Sequence, residues 1–286
     1  MPNDKIYSIG IDIGGTKIRG VLWDGEKVID DYELATPLDS LDHFLVMVKA
    51  VVDPLLERAK TNKVPVKGIG IGMPGKEDKK TGKIYRVSNL PLLQGQMCGQ
   101  LIRGIINLPI VLDNDACTFT RAEVLAGAAK GYSNVFGLTL GTGIGGSWWV
   151  NGEIYRGAHN SAGEPGYTII DLSSGLDFEK SYQKLTKNNT VLMATEAYRG
   201  DPLAEKVFAE FGLYLGVCMA NIINLIDPEA FVIGGSVIKS GDLFLSAVKK
   251  SIKQYSASPV AANKVKILKS KLGKNAGAIG AAMLVT

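Results

Sequence analysis

Asp12-Ile13-Gly14-Gly15-Thr16-Lys17 stands between an apolar run, Tyr7 to Ile11, and a period-two segment, Lys17 to Trp23. The pattern reads as strand, glycine-rich turn, strand. It returns further along the chain: Val135 to Leu140 reads as a strand, Gly141-Thr142-Gly143-Ile144-Gly145-Gly146 as a tight turn, and Ser147 to Val150 as the returning strand. Asn151-Gly152 then signals a hairpin. A unit of this kind occurring twice predicts an internal duplication and two related lobes.

Outward from the first turn, Leu41, Phe44, Leu45, Val48, Val51, Val52 and Leu55 fall at helical spacing, with Ser40 as candidate N-cap and Pro54 as a residue expected to kink or shorten the helix. Gly68 to Gly72 reads as a strand leading to a Pro74-Gly75 turn, and Ile110 to Asp113 as a short buried strand ending in Asn114-Asp115. After the second turn come a long helix at 204–225, a strand at 230–233, a helix at 243–255, a strand at 265–268 and a small-residue helix at 276–284. Alternating strands and helices predict an α/β fold with parallel pairing. Domain boundaries are expected at 1–116 and 117–286, with the final helix, about 275–286, packing back on the first domain.

The 286 residues suffice for two lobes with their own cores. Hydrophobic residues at 46%, charged residues at 21% and a mean hydropathy of +0.11 exclude a disordered chain. The apolar stretches read as too interrupted for a membrane span, and Met1 to Lys5 carries no basic leader, so a cytoplasmic protein without membrane contact is expected. A net charge of +4 without basic runs interleaved with aromatics argues against a nucleic-acid partner. Cys98, Cys117 and Cys218 are far apart and read as buried thiols.

Both turns suit phosphate. Glycines let backbone amides approach an anion, and Gly14, Gly15, Thr16 and Lys17 in the first turn, with Gly141, Thr142 and Gly143 in the second, offer amide, hydroxyl and ammonium donors. A plain hairpin turn reads the same residues. Lys17 and Arg19 point the same way along their strand, toward phosphates or toward solvent. Asp12 ends the first strand, where a carboxylate orients Mg²⁺ through water. Ile233-Gly234-Gly235-Ser236 follows a strand and is a candidate contact for purine or ribose. The second turn is followed by a strand, which argues against a dinucleotide fingerprint.

Taken in order, Asp12 to Gly20, Gly72-Met73-Pro74-Gly75, Asn114-Asp115-Ala116, Leu140 to Ser147, Ala162-Gly163-Glu164-Pro165-Gly166, and Leu225-Ile226-Asp227-Pro228-Glu229 leading to Gly234-Gly235 resemble the ROK family of sugar kinases and sugar-responsive repressors. The resemblance covers essentially the whole chain. It implies two actin-like (ribonuclease-H-like) α/β domains flanking a central cleft, and transfer of the γ-phosphate of Mg-ATP to a hexose hydroxyl, glucose first among candidates. It also implies that Asp115 is the catalytic base and Asn114 a sugar ligand. From the residues alone, Asp115 reads equally as the N-cap of a helix starting near Ala116.

The family's sugar-lining elements map to Gly75, Asn89-Leu90 and Glu164-Pro165-Gly166-Tyr167. Tyr167 stands where the family usually has a zinc-ligating His, and Ser173-Ser174-Gly175-Leu176-Asp177 replaces its Cys-rich element, so no zinc site is expected. The loop 168–182 must then be held by packing and hydrogen bonds. Glu179 is a loose counterpart of a further family sugar ligand, and His159 a candidate substitute for the missing His. The family often forms dimers, for which the apolar helices of the second lobe are candidates. Another sugar kinase specificity (N-acetylhexosamine, fructose or allose) and a non-catalytic sugar sensor are the alternatives. Family repressors carry a helix-turn-helix before the first turn, and eleven residues before Asp12 leave no room for one.

Overall fold

The computed structural model describes residues 6–285 except 79, 86 and 88; Met1 to Lys5, read above for a leader, lies outside the described residues. The chain divides into two compact units, one of Met1–Lys130, Ala158–Ser161 and Lys271–Thr286, the other of Gly131–Gly157 and Ala162–Ser270.

In the first unit, β1 (Tyr7–Ile13), β2 (Lys17–Trp23) and β3 (Val28–Ala35) form an antiparallel meander, followed by α1 (Leu41–Thr61). Ser40 caps α1, its Oγ accepting from His43 N at 3.2 Å. Pro54 does not end the helix, contrary to expectation: Val51, Val52, Leu55 and Ala59 bury one face across the proline, and that packing outweighs the lost backbone bond. Next come β4 (Val66–Met73), the small hairpin β5 (Lys76–Glu77) and β6 (Ile84–Tyr85), α2 (Cys98–Arg103), β7 (Ile110–Asn114) and α3 (Asp115–Leu125). The sheet order is β3-β2-β1-β4-β7, with β4 parallel to both β1 and β7.

The second unit repeats this. β8 (Asn134–Leu140), β9 (Ile144–Val150) and β10 (Glu153–Tyr155) form its meander. Asn151 and Gly152 both take positive φ, 55° and 83°, as a two-residue hairpin turn of this type requires. A hairpin of β11 (Ile169–Asp171) and β12 (Leu176–Asp177) leads to α4 (Phe178–Leu185), α5 (Thr190–Tyr198), α6 (Pro202–Ile226), β13 (Ala230–Gly234), α7 (Leu245–Tyr255), α8 (Pro259–Lys264) and β14 (Lys266–Lys269). Its order, β10-β9-β8-β13-β14, carries the same strand senses as the first sheet. Matching order and sense are the structural form of the duplication seen in the two glycine-rich turns.

Among the described residues α6 is long and apolar enough to cross a membrane, which corrects the expectation that no stretch would be. Its charges cluster in the first turns, while Phe208, Phe211, Leu215, Met219 and Ile223 form a stripe buried in the core of the second unit.

The chain ends its described course with α9 (Ala276–Ala282), which lies on the first unit's sheet and against α3. The buried Glu123 carboxylate of α3 accepts from Ala128 N at 2.7 Å, Lys271 N at 3.1 Å and Leu272 N at 3.0 Å, pinning the segment that delivers α9.

Candidate active site

In the first unit, register alone gathers the predicted residues. Asp12 pairs with Gly72, Gly72 with Asp113 and Met73 with Asn114, so β1, β4 and β7 end level. With neighbouring strands about 4.8 Å apart, the first glycine turn, Pro74-Gly75 and Asn114-Asp115 leave one sheet edge within roughly 10 Å. Beyond the carboxyl ends of parallel strands is where open α/β sheets bind ligands.

The first turn closes through Gly14 N donating to Lys17 O at 2.9 Å, and Thr36 Oγ1 donates to Gly14 O at 2.8 Å. Neither Gly14 nor Gly15 takes positive φ. The backbone at Gly15 runs close to its neighbour: a Cβ there would press on Asn89 Cβ and O at 3.0 Å. The turn and Asn89 are therefore in contact. Lys17 Nζ reaches Glu33 Oε1 at 2.5 Å, and Arg19, buried, pairs with Glu33 and with Asp31 at 3.6 Å. Both cations thus point the same way, toward the carboxylates of β3.

Asn114, not Asp115, is the N-cap of α3. Its Oδ1 accepts from Ala116 N at 3.1 Å and Cys117 N at 3.4 Å, while Nδ2 donates to Gly75 O at 3.0 Å. One Nδ2 hydrogen remains for a further partner. Gly75 has φ +87°, and a Cβ there would lie 2.6 Å from Tyr85 O, so no other residue fits this turn. Asp115 occupies the first turn of α3, half-buried, its Oδ1 accepting from Ala116 N at 2.9 Å. The helix dipole favours negative charge there.

Asp12, next to last in β1, stands opposite Arg19. A Cβ on Gly277 of α9 would come within 2.6 Å of its carboxylate. Burial pushes Asp12 from 3.8 up to about 6, with Arg19 pulling the other way. A cation beside this carboxylate would recover the cost of its charge. Among the described residues no group of three or more His, Cys, Asp or Glu could cage a metal ion. A lone carboxylate fits Mg²⁺, which keeps several waters and takes other ligands from substrate phosphates.

This shift carries a stability consequence. The folded state holds the Asp12 proton more tightly than the unfolded chain does, so the contribution to stability is greatest below pH 4 and is lost as pH rises to about 6. Asp12→Asn should therefore stabilise the protein at pH 7 by about 2 kcal/mol, against a ceiling of roughly 3. Melting curves of parent and variant at pH 4 and pH 7 check this; the gap should close at pH 4.

In the second unit the turn comprises Gly141-Thr142-Gly143 only. β9 begins at Ile144, so Gly145 and Gly146 are strand residues, which corrects the longer turn read from sequence. Gly146 is small because a Cβ would meet the Pro165 ring at 2.7 Å. Gly235, φ +88°, approaches the Leu140 backbone so closely that a Cβ would lie 2.1 Å from Leu140 O, which seats Gly234-Gly235 beside the turn.

The element Glu164-Pro165-Gly166-Tyr167 lies along β9: a Cβ on Gly166 would meet Ile144 O at 2.5 Å and Glu179 Cβ at 3.5 Å. Glu179 Oε2 accepts from Ile144 N at 2.7 Å. Burial raises the Glu179 carboxyl, the Ile144 N–H lowers it, and the charges of Asp177 and Glu164 raise it further. Glu164 and Glu179 are thus neighbours. Tyr167 is 39% exposed, and His159, exposed, belongs to the first unit.

The loop 168–182 is held as a hairpin. Asp171 Oδ1 accepts from Ser173 N at 2.9 Å and Ser173 Oγ at 2.7 Å, Phe178 N donates to Thr168 O at 2.9 Å, and the Phe178 ring is fully buried. Sequence reasoning missed Tyr182, whose hydroxyl donates to Gly141 O at 3.0 Å and touches Thr190 Oγ1 at 2.5 Å. Its helical offset of three from Glu179 was the available signal.

The sequence matches the ROK family over residues 8–286. It is 30% identical to a glucokinase of Halalkalibacterium halodurans, over 99% of this chain and 96% of that protein. It is 29% identical to the xylose repressor of Bacillus spizizenii, over 98% of this chain and 77% of the repressor. The structure resembles that of a ROK family glucokinase from Streptomyces griseus in complex with glucose and AMPPNP, with a TM-score of 0.81, 25% identity, and coverage of 98% of this chain and 99% of that one. Two sheets of the same order and sense, each carrying a glycine turn, are the duplicated actin-like α/β fold of these relatives, and with a match over nearly its whole length the chain belongs to the ROK family.

Proposed function

We propose that this protein is a cytoplasmic ATP-dependent sugar kinase, transferring the γ-phosphate of Mg-ATP to a hydroxyl of a hexose, with glucose and its 6-hydroxyl as first candidates. The observation that carries this reading is the level ending of β1, β4 and β7, which brings the first glycine turn, the Asn114–Gly75 pair and Asp115 to one edge. Phosphoryl transfer asks the protein mainly for positioning and for a carboxylate that orients the attacking hydroxyl.

In this reading Asp115 orients the sugar hydroxyl and takes its proton. Asn114, held by the Gly75 carbonyl, donates its remaining amide hydrogen to a neighbouring hydroxyl, and Asn89, Gly75, Glu164, Tyr167 and Glu179 supply further sugar contacts. The amides of Gly15 and Gly143, with the hydroxyls of Thr16 and Thr142, bind phosphate oxygens, while the Gly14 and Gly141 amides, donating to Lys17 O and Gly143 O, close the two turns. Lys17 adds charge on leaving Glu33, and Gly234-Gly235 line the nucleoside. Asp12 would hold Mg²⁺ through water, where the ion supplies charge neutralisation on the phosphates.

Incubating the protein with Mg-ATP and a panel of glucose, N-acetylglucosamine, N-acetylmannosamine, fructose and allose, and following ADP, tests the reading. One sugar should raise ADP release well above the basal rate. ATP hydrolysis that no sugar stimulates overturns the proposal, and sugar binding without turnover would favour a sensor of the kind the xylose repressor represents.

A further inference from the structure

Three side chains of α4 reach the second glycine turn. Glu179 Oε2 accepts from Ile144 N at 2.7 Å, Tyr182 Oη donates to Gly141 O at 3.0 Å, and Gln183 Nε2 donates to Thr142 O at 3.4 Å. Positions 179, 182 and 183 share one helix face. α4 therefore holds the turn from both ends, one backbone N–H and two carbonyls.

The same helix begins where the Glu164–Tyr167 element ends. Phe178 N donates to Thr168 O at 2.9 Å, and Gly166 lies against Ile144 O and the Glu179 Cβ. Ile144 is thus gripped at its N–H by Glu179 and covered at its carbonyl by Gly166. A shift of the Glu164–Gly166 element would be felt by Glu179 and by the residue following Gly143.

We infer that Glu179 is a positioning residue for the Gly141–Gly143 turn, setting its affinity for the triphosphate of the nucleotide and tying that affinity to occupancy of the neighbouring sugar element. This rests on the kinase reading of the turn. A residue that served sugar alone would change only the sugar KM. One that fixes the turn changes nucleotide affinity with no sugar present, and by linkage sugar and nucleotide then strengthen each other's binding equally.

The test is calorimetric titration of the parent, Glu179→Ala, Glu179→Gln and Tyr182→Phe with AMPPNP and Mg²⁺, without sugar. Glu179→Ala strands a backbone N–H and should raise the nucleotide Kd roughly 10-fold or more. Glu179→Gln keeps an oxygen for Ile144 N and should stay within about 3-fold of the parent, while its sugar KM rises. Tyr182→Phe keeps the buried ring, so it remains informative if the alanine variant fails to fold, and should weaken nucleotide about 5-fold. A Kd unchanged in both Glu179→Ala and Tyr182→Phe, or a glutamine variant as weak as the alanine one, overturns the inference. A parent that binds no AMPPNP overturns the kinase reading and this inference together.

Discussion

Asp115→Asn is expected to lower sugar phosphorylation by about 10²–10⁴-fold, the usual worth of a positioned general base, while leaving the melting temperature nearly unchanged. The second half of that statement follows from the cap geometry. Asn114 Oδ1 caps the first amides of α3, from Ala116 and Cys117, and the bond that Asp115 Oδ1 accepts from Ala116 N is available to an asparagine oxygen as well. Loss of activity would therefore report chemistry and not unfolding. Turnover within a few-fold of the parent, with the sugar that the panel identifies, would remove Asp115 from the role of base.

Gly70→Ala should be the most damaging of the small substitutions to the fold. A Cβ at Gly70 would lie 1.7 Å from Ala281 O, and one at Gly10 would lie 1.8 Å from Ala278 O. Both obstacles are backbone atoms of α9, so trimming a side chain cannot relieve them, and the helix must lift off the sheet. Overpacking of this kind costs about 3 kcal/mol or more, a fall in melting temperature of roughly 6–12 °C for a chain of this size. Gly25→Ala separates crowding from backbone strain: Gly25 has φ +97° with nothing within 4 Å of its would-be Cβ, and its replacement should cost only about 1 kcal/mol. Equal losses in the two variants would show that the close approach of α9 is not what glycine serves at position 70.

What was legible in the sequence was whatever has a local signature. Alternation and apolar runs marked β1, β2, β4, β7, β8, β13 and β14, Ser40 announced the start of α1, and Asn151-Gly152 announced its hairpin. The order of glycine turns pointed to the family that the whole-length match shows. What was not legible depends on partners distant in sequence. Asn114 and Asp115 are both good caps, and it is the extended backbone of Asn114, with its Oδ1 on the amides of Ala116 and Cys117 and its Nδ2 anchored on Gly75 O, that decides between them. Gly145 and Gly146 look like more turn, whereas Gly146 is small because Pro165 packs on it. The splint of α4 behind the second turn joins residues about 40 positions apart, and the buried Glu123 carboxylate meets amides at 271 and 272. Pro54 shows the converse, a strong local breaker overridden by a buried helical face.

The late position of α9 has a consequence for synthesis. The glycine notches of β1 and β4 leave the ribosome long before residues 276–282 arrive to fill them, about 200 residues after Gly70. At elongation speeds of roughly 5–20 residues per second, that bare surface waits about 10–40 seconds for its cover. The strands and helices of the second unit all precede residue 271, so chains truncated and released before residue 276 should present a finished second unit and an incomplete first one to the chaperones that meet them.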